Sequence, residues 1–113
     1  MSIVENIFNH IPEQIPKELC HTLSSNNQIK IERIISKGHS SAVNDWYDQI
    51  QDEWVIVLEG QAILQFESSP CFVTLKSGDY LLIPAHKKHR VHWTDPDHKT
   101  IWLCVFMECH ANC

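Results

Sequence analysis

After Asn27, apolar and polar positions alternate in short runs rich in Ile, Val, Leu, Phe and Trp, and turn residues interrupt them at close, fairly even intervals. These runs predict strands at 28–36, 43–50, 53–59, 61–67, 71–75, 79–83, 88–93 and 100–107. A series of short strands at this spacing defines an all-β fold, either a barrel or a sandwich. The segment before Gln28 reads differently. Ile11, Ile15 and Leu19 stand four apart, and Pro16 suits the first turn of a short helix running to about Leu23, which Ser24-Ser25-Asn26-Asn27 then ends. The organisation expected is an arm over 1–27 packed on a β-domain over 28–108, with a tail at 109–113.

Successive side chains of a strand point to opposite sides, so each run also predicts faces. In the first barrel strand, Ile29, Ile31, Arg33 and Ile35 share one face, which sets an arginine in an apolar row. Arg33 is therefore either a structural, salt-bridged guanidinium or an anion clamp reaching into a pocket. In the run at 53–59, Glu53, Val55 and Val57 share one face and Trp54, Ile56 and Leu58 the other. Both faces are apolar enough to be covered, one by the lumen and the other by a second sheet or a second subunit. The run from Ile101 to Met107 has the same two-sided character.

At 113 residues the chain is one domain, and a globule of this size buries about 65% of its unfolded surface, enough for one core or one lined pocket. Forty-three per cent apolar residues and four Trp argue for packing over disorder. A formal charge of −5 and a single short basic cluster, His86-Lys87-Lys88-His89-Arg90, argue against nucleic acid as a partner and place that cluster at a pocket rim. No basic region followed by a long apolar run opens the chain, and five cysteines form an odd set without a secreted framework's spacing. A reducing cytoplasm and no membrane are the expectation. The cysteines and histidine at 109–113 are left outside the site.

Glu53 and Gly60, then Gly78, Pro84 and His89, resemble in order and spacing the two motifs of the cupin superfamily. The blocks Ile31-Glu32-Arg33-Ile34, Trp46-Tyr47-Asp48-Gln49, Glu53-Trp54-Val55 and Ile83-Pro84-Ala85-His86 are similar to stand-alone small cupins, over Ile29 to Met107. The resemblance implies a single antiparallel jelly-roll barrel, or double-stranded β-helix, that commonly pairs as a homodimer. It also implies a divalent transition metal, Fe, Mn, Ni, Cu or Zn, held by three histidines and a glutamate. Here the two histidines of the first motif fall on Tyr47 and Gln49, the glycine after Pro84 is His86, and the final asparagine is Trp93. Glu53 and His89 remain as metal ligands, with the Gln49 amide oxygen as a weaker third.

Even spacing lets Tyr47, Gln49 and Glu53 all face inward, while His92 faces away from His89. His86 and His39 lie on turns, where each is either a replacement ligand or proton carrier over the barrel mouth, or a solvated loop histidine. Three uses of the site follow. Glu53, His89 and Tyr47 carry metal-assisted chemistry; or Glu53 and His89 form a metal-free acid–base pair, as in isomerases and epimerases; or the barrel only binds a small ligand. The pocket implied is small and apolar with few polar groups, suited to a small organic molecule. No phosphate loop, nucleotide fingerprint or nucleophile elbow is present.

Overall fold

A computed structural model describes residues 3–68 and 71–108 of the chain. Eight strands follow in order: β1 (Leu19–Ser25), β2 (Ile29–Ser36), β3 (Asp52–Glu59), β4 (Gln61–Phe66), β5 (Phe72–Lys76), β6 (Tyr80–Ile83), β7 (His89–Thr94) and β8 (Thr100–Met107). They form two antiparallel sheets, β1-β2-β8-β3-β6 and β5-β4-β7, closed on each other as the two halves of a jelly roll. Among the described residues there is no helix, and none is therefore long and apolar enough to cross a membrane.

The alternation read from the sequence is the alternation of burial. Along β3 the pattern places Glu53, Val55 and Val57 inside, and along β4 it places Ala62, Leu64 and Phe66 inside. With Leu75, Ile83, Trp102 and Cys104 they make the core between the sheets. Gly60 joins β3 to β4 at φ +91°, and a Cβ there would lie 2.6 Å from the carbonyl oxygen of Lys99, so the first motif's glycine is required both by conformation and by space.

The helix expected from Pro16 to Leu23 is instead strand β1, paired with β2 from Leu19↔Ile35 to Ser25↔Lys30 with one irregularity between Thr22 and Ser24. The four-residue apolar spacing of the arm loses to the open edge of β2, whose backbone groups need partners. The tract read as a helix stop is the hairpin turn: the Asn26 side-chain oxygen accepts from the amides of Gln28 and Ile29, and the Asn26 amide donates to the Ile29 carbonyl.

The strand expected at 43–50 is a loop with one isolated bridge, Tyr47↔His89. Asn44 at φ 69° and a turn from Ala42 to Asp45 break the run, leaving Val43 exposed. The loop still covers the free edge of β7. Tyr47 and His89 exchange both backbone hydrogen bonds, and the Ser41 amide donates to the Val91 carbonyl while its hydroxyl accepts from the Val91 amide.

Arg33 does not reach the lumen. The inward residues of β2 are Glu32 and Ile34, and the opposite face, with Arg33 and Ile35, is buried beneath the N-terminal segment. Arg33 Nη1 donates to the carbonyls of Ile7 and Asn9 at 2.9 and 2.7 Å, and Nη2 lies 3.1 Å from His21 Nδ1. The anion-clamp alternative is thereby corrected: the guanidinium is structural, and its partners are arm carbonyls in place of a salt bridge.

Candidate functional site

Between the sheets lies a cavity of about 280 Å³, and its wall draws one to three side chains from nearly every strand. The polar residues lining it are Glu18, Glu32, Tyr47, Gln49, Glu53 and His89; Cys20 and Cys104 join them, and the remainder is Ile34, Val55, Leu64, Ile83, Val91, Trp102 and Phe106. Tyr47, Gln49, Glu53 and His89, aligned on the motif positions by sequence, thus share one cavity even though Tyr47 and Gln49 sit on a loop.

His89 and Glu53 are the buried polar centre, 5% and 8% exposed. His89 is held by β7 and the bridge to Tyr47; its ring packs between the rings of Tyr47 and Phe66, 5.5 and 6.0 Å away. Its Nδ1 lies 2.9 Å from the Lys87 carbonyl, an acceptor only, so Nδ1 carries a proton. Nε2 then faces Glu53 Oε1 at 3.4 Å. Neither a bare imidazole nitrogen nor a carboxylate can donate there, so a proton belongs between them. Burial lowers the His89 pKa, but the Glu53 carboxylate and the Lys87 carbonyl outweigh it and hold the imidazole above its ordinary value.

The groups around this pair keep their protons. Burial pushes the Tyr47 phenol up, with the carboxylates of Glu18, Asp45 and Glu53 adding to it against a hydrogen bond from Ser41. The Cys104 thiol is raised well beyond the usual thiol range by burial and by Glu53 beside it. At the other side of the cavity, Cys20 Sγ donates to Glu32 Oε2 at 3.2 Å and its thiol is pushed up to about 11, by burial and then by Glu32. Glu18 Oε2 accepts from Ser36 Oγ at 2.7 Å.

The donor set was tested against the divalent metal that the motifs imply. His89 has the carbonyl-anchored Nδ1 that metal-bound histidines show, with Nε2 turned to Glu53. Of the other lining groups, Gln49 is a neutral amide, the Tyr47 phenol and the two thiols are held protonated, and Glu18 and Glu32 are engaged by Ser36 and Lys30. Among the described residues, no group of three or more His, Cys, Asp and Glu side chains is arranged to hold a metal ion. The described residues around Glu53 and His89 do not by themselves make a resident-metal site.

His86 and His39, expected over the mouth, line neither the cavity nor its pair. His86 Nδ1 lies 2.9 Å from Asp48 Oδ1, and its amide donates to the Gln49 carbonyl, so it fastens the loop carrying Gln49. His39 Nδ1 accepts from the Lys37 amide, and Nε2 lies 3.2 Å from the Pro16 carbonyl. Both nitrogens are occupied in local structure. The residues not singled out from sequence are Glu18, Cys20, Glu32 and Cys104. Their signal is parity: Glu18 and Cys20 are two apart, as are Glu32 and Ile34, on the face opposite Arg33.

The Cupin domain family model matches residues 34–106. In a structure from Ralstonia eutropha JMP134 named "putative mannose-6-phosphate isomerase", the chain finds a counterpart with 40% identity and a TM-score of 0.90, covering 94% of this chain and 98% of the other. A cupin superfamily protein from Desulfitobacterium hafniense DCB-2 (20% identity, TM-score 0.72, 88% of this chain and 84% of that one) shares the fold. So does a conserved protein of unknown function from Streptococcus pyogenes (17% identity, TM-score 0.75, 98% and 91%). Comparison with curated proteins gives no match. A barrel of this topology, with Glu53, Gly60, Gly78, Pro84 and His89 in the motif positions, belongs to the cupin superfamily.

Proposed function

We propose that this cupin binds a small organic molecule between its sheets and exchanges a proton with it through the Glu53–His89 pair, without a resident metal. The observation that carries this reading is the tautomer: the Lys87 carbonyl fixes the proton on Nδ1, leaving Nε2 and Glu53 Oε1 to share a second proton inside the cavity wall. A proton poised between two bases of a mostly apolar pocket is the arrangement general acid–base catalysis needs. Glu53 passes the shared proton to and from the ligand, His89 Nε2 holds it while Glu53 is ionised, and Tyr47 offers a phenol that stays a donor. The reaction class supported is removal and return of a proton beside a carbonyl.

The name of the Ralstonia relative suggests a sugar-phosphate isomerase. Proton transfer suits that class, but a phosphate dianion needs cationic donors, and none of the described residues lining this cavity is Lys or Arg. The reaction type is therefore kept and the phosphate is not.

The test is proton exchange in heavy water. Small carbonyl compounds, neutral and amine-bearing, are incubated with the protein and a chelator, and loss of the α-proton signal is followed by NMR. Exchange above the buffer rate, reduced at least about 100-fold in His89→Ala and Glu53→Gln, supports the proposal. No exchange from any compound that demonstrably binds would leave a ligand-binding module.

A further inference from the structure

The polar wall of the cavity is one-sided in charge. Glu18, Glu32 and Glu53 line it; His89 is the only basic side chain among the described lining residues, and it is already engaged by Glu53. The chain's buried cations are turned elsewhere. Arg33 is bound by the carbonyls of Ile7 and Asn9, and Arg90 donates to Gln65 Oε1 and the Ser41 carbonyl, outside the cavity. Lys30 reaches Glu32 Oε2 at 3.2 Å, but from outside the lining, with its side chain half exposed.

The two buried carboxylates have spare acceptor capacity. Glu32, with 8% of its surface exposed, accepts from Lys30 and from the weak thiol donor Cys20, both on Oε2. Glu53, equally buried, meets His89 through Oε1. Each carboxylate has about four lone-pair positions. Apart from Gln49 and the two cysteines, the rest of the wall is apolar or aromatic: Trp102 and Phe106 come from β8, and Tyr47 closes from the loop. Aromatic faces attract cations, and carboxylates lining a cavity repel anions.

We infer that the ligand of this cavity is a small organic cation, an amine on a compact apolar body, and that phosphorylated and carboxylate-only molecules are excluded. This rests on the cavity being the ligand site, as proposed above, but not on any proton being transferred there. The ammonium group sits toward Glu32 and Glu18, and the apolar body lies against Trp102, Phe106 and Val55. The Glu53–His89 pair is left to act on the ligand's other end.

Isothermal titration of the 113-residue chain with four probes tests this: cyclohexylammonium, cyclohexanol, cyclohexanecarboxylate and mannose 6-phosphate. The first three share one ring and differ in charge. Cyclohexylammonium is expected to bind at least tenfold more tightly than cyclohexanol, and neither anion is expected to bind. The preference should fall at least threefold in Glu32→Gln and in Glu18→Gln, two independent substitutions whose folding is checked by thermal melting. Equal binding of the ammonium and the alcohol would overturn the cation inference while leaving the cavity as the ligand site. Binding of either anion, or of none of the four, would overturn it as well. A tenfold ammonium preference without any proton exchange would instead defeat only the catalytic reading.

Discussion

Glu53 Oε1 and His89 Nε2 lie 3.4 Å apart, in positions where the superfamily's motifs place two metal ligands. Because the Lys87 carbonyl occupies the other ring nitrogen, the natural occupant of that gap is a proton. The linkage to stability has a definite sign. The His89 pKa is raised in the folded protein above its ordinary 6.5. The folded state therefore binds a proton that the unfolded chain releases, and the contribution is full below about pH 6.5 and lost as pH rises through the raised value. Thermal melts between pH 6 and 9 should show the wild type losing stability relative to Glu53→Gln. Parallel curves for the two proteins would show that no proton is shared.

The same geometry predicts the response to metal removal. Two ligands and a neutral amide do not hold a divalent transition ion against a chelator. Untagged protein dialysed against a strong chelator should keep its melting temperature within about 1 °C, and elemental analysis before dialysis should find well below one equivalent of any transition metal. Near one equivalent, lost in both Glu53→Gln and His89→Ala, would restore the motif's metal site.

Arg33 yields a prediction about the arm. Arg33 is 7% exposed, and its guanidinium gathers two carbonyls from the N-terminal segment, with His21 as its other described partner. Arg33→Met keeps the apolar stem and removes the donors, freeing the Ile7 and Asn9 carbonyls to water when the segment lifts. The expected cost is about 1–3 kcal/mol in urea unfolding, with faster proteolysis before Leu19. Unchanged proteolysis would show that the arm is held by its apolar contacts alone.

How much of this was legible in the sequence depended on whether a residue's neighbours are local. Period two carried β2 to β8 with small errors at the ends, except where the loop at 43–50 replaced a strand, and Glu53, His89, Tyr47 and Gln49 reach one cavity as the motif spacing implied. The failures share a cause. Whether residues 19–25 coil or extend depends on the open edge of β2, and the inward face of β2 is the one with Glu32 because the N-terminal segment covers Arg33. An apolar row in a strand says that a face is buried, not by what. For His39 and His86 the turns alone leave a pocket role and a solvated one both open, and their neighbours in space, Lys37, Pro16 and Asp48, engage them locally.

The outer face of the five-stranded sheet carries the last prediction. Cross-strand pairing sets Ile31 beside Val105, Val105 beside Trp54, and Trp54 beside Leu82; the next row runs from Leu103 through Ile56 to Tyr80. Leu82 and Tyr80 are 52% and 65% exposed, and the Trp54 and Tyr80 rings pack 5.4 Å apart. A contiguous apolar face of this kind suits an interaction partner, and a two-fold pairing would cover it with itself. We propose that two copies associate through this face. Trp54→Glu together with Leu82→Glu puts two charges into it on the side away from the cavity. Each large apolar side chain buried there contributes about 1.5–3 kcal/mol, so the double variant should dissociate at least about 100-fold more readily. Sedimentation velocity of both proteins decides it: a dimeric wild type and a monomeric, folded variant are expected. A wild type that stays monomeric at about 100 μM, far above a dimer's expected dissociation constant, would leave this face without a partner of its own kind.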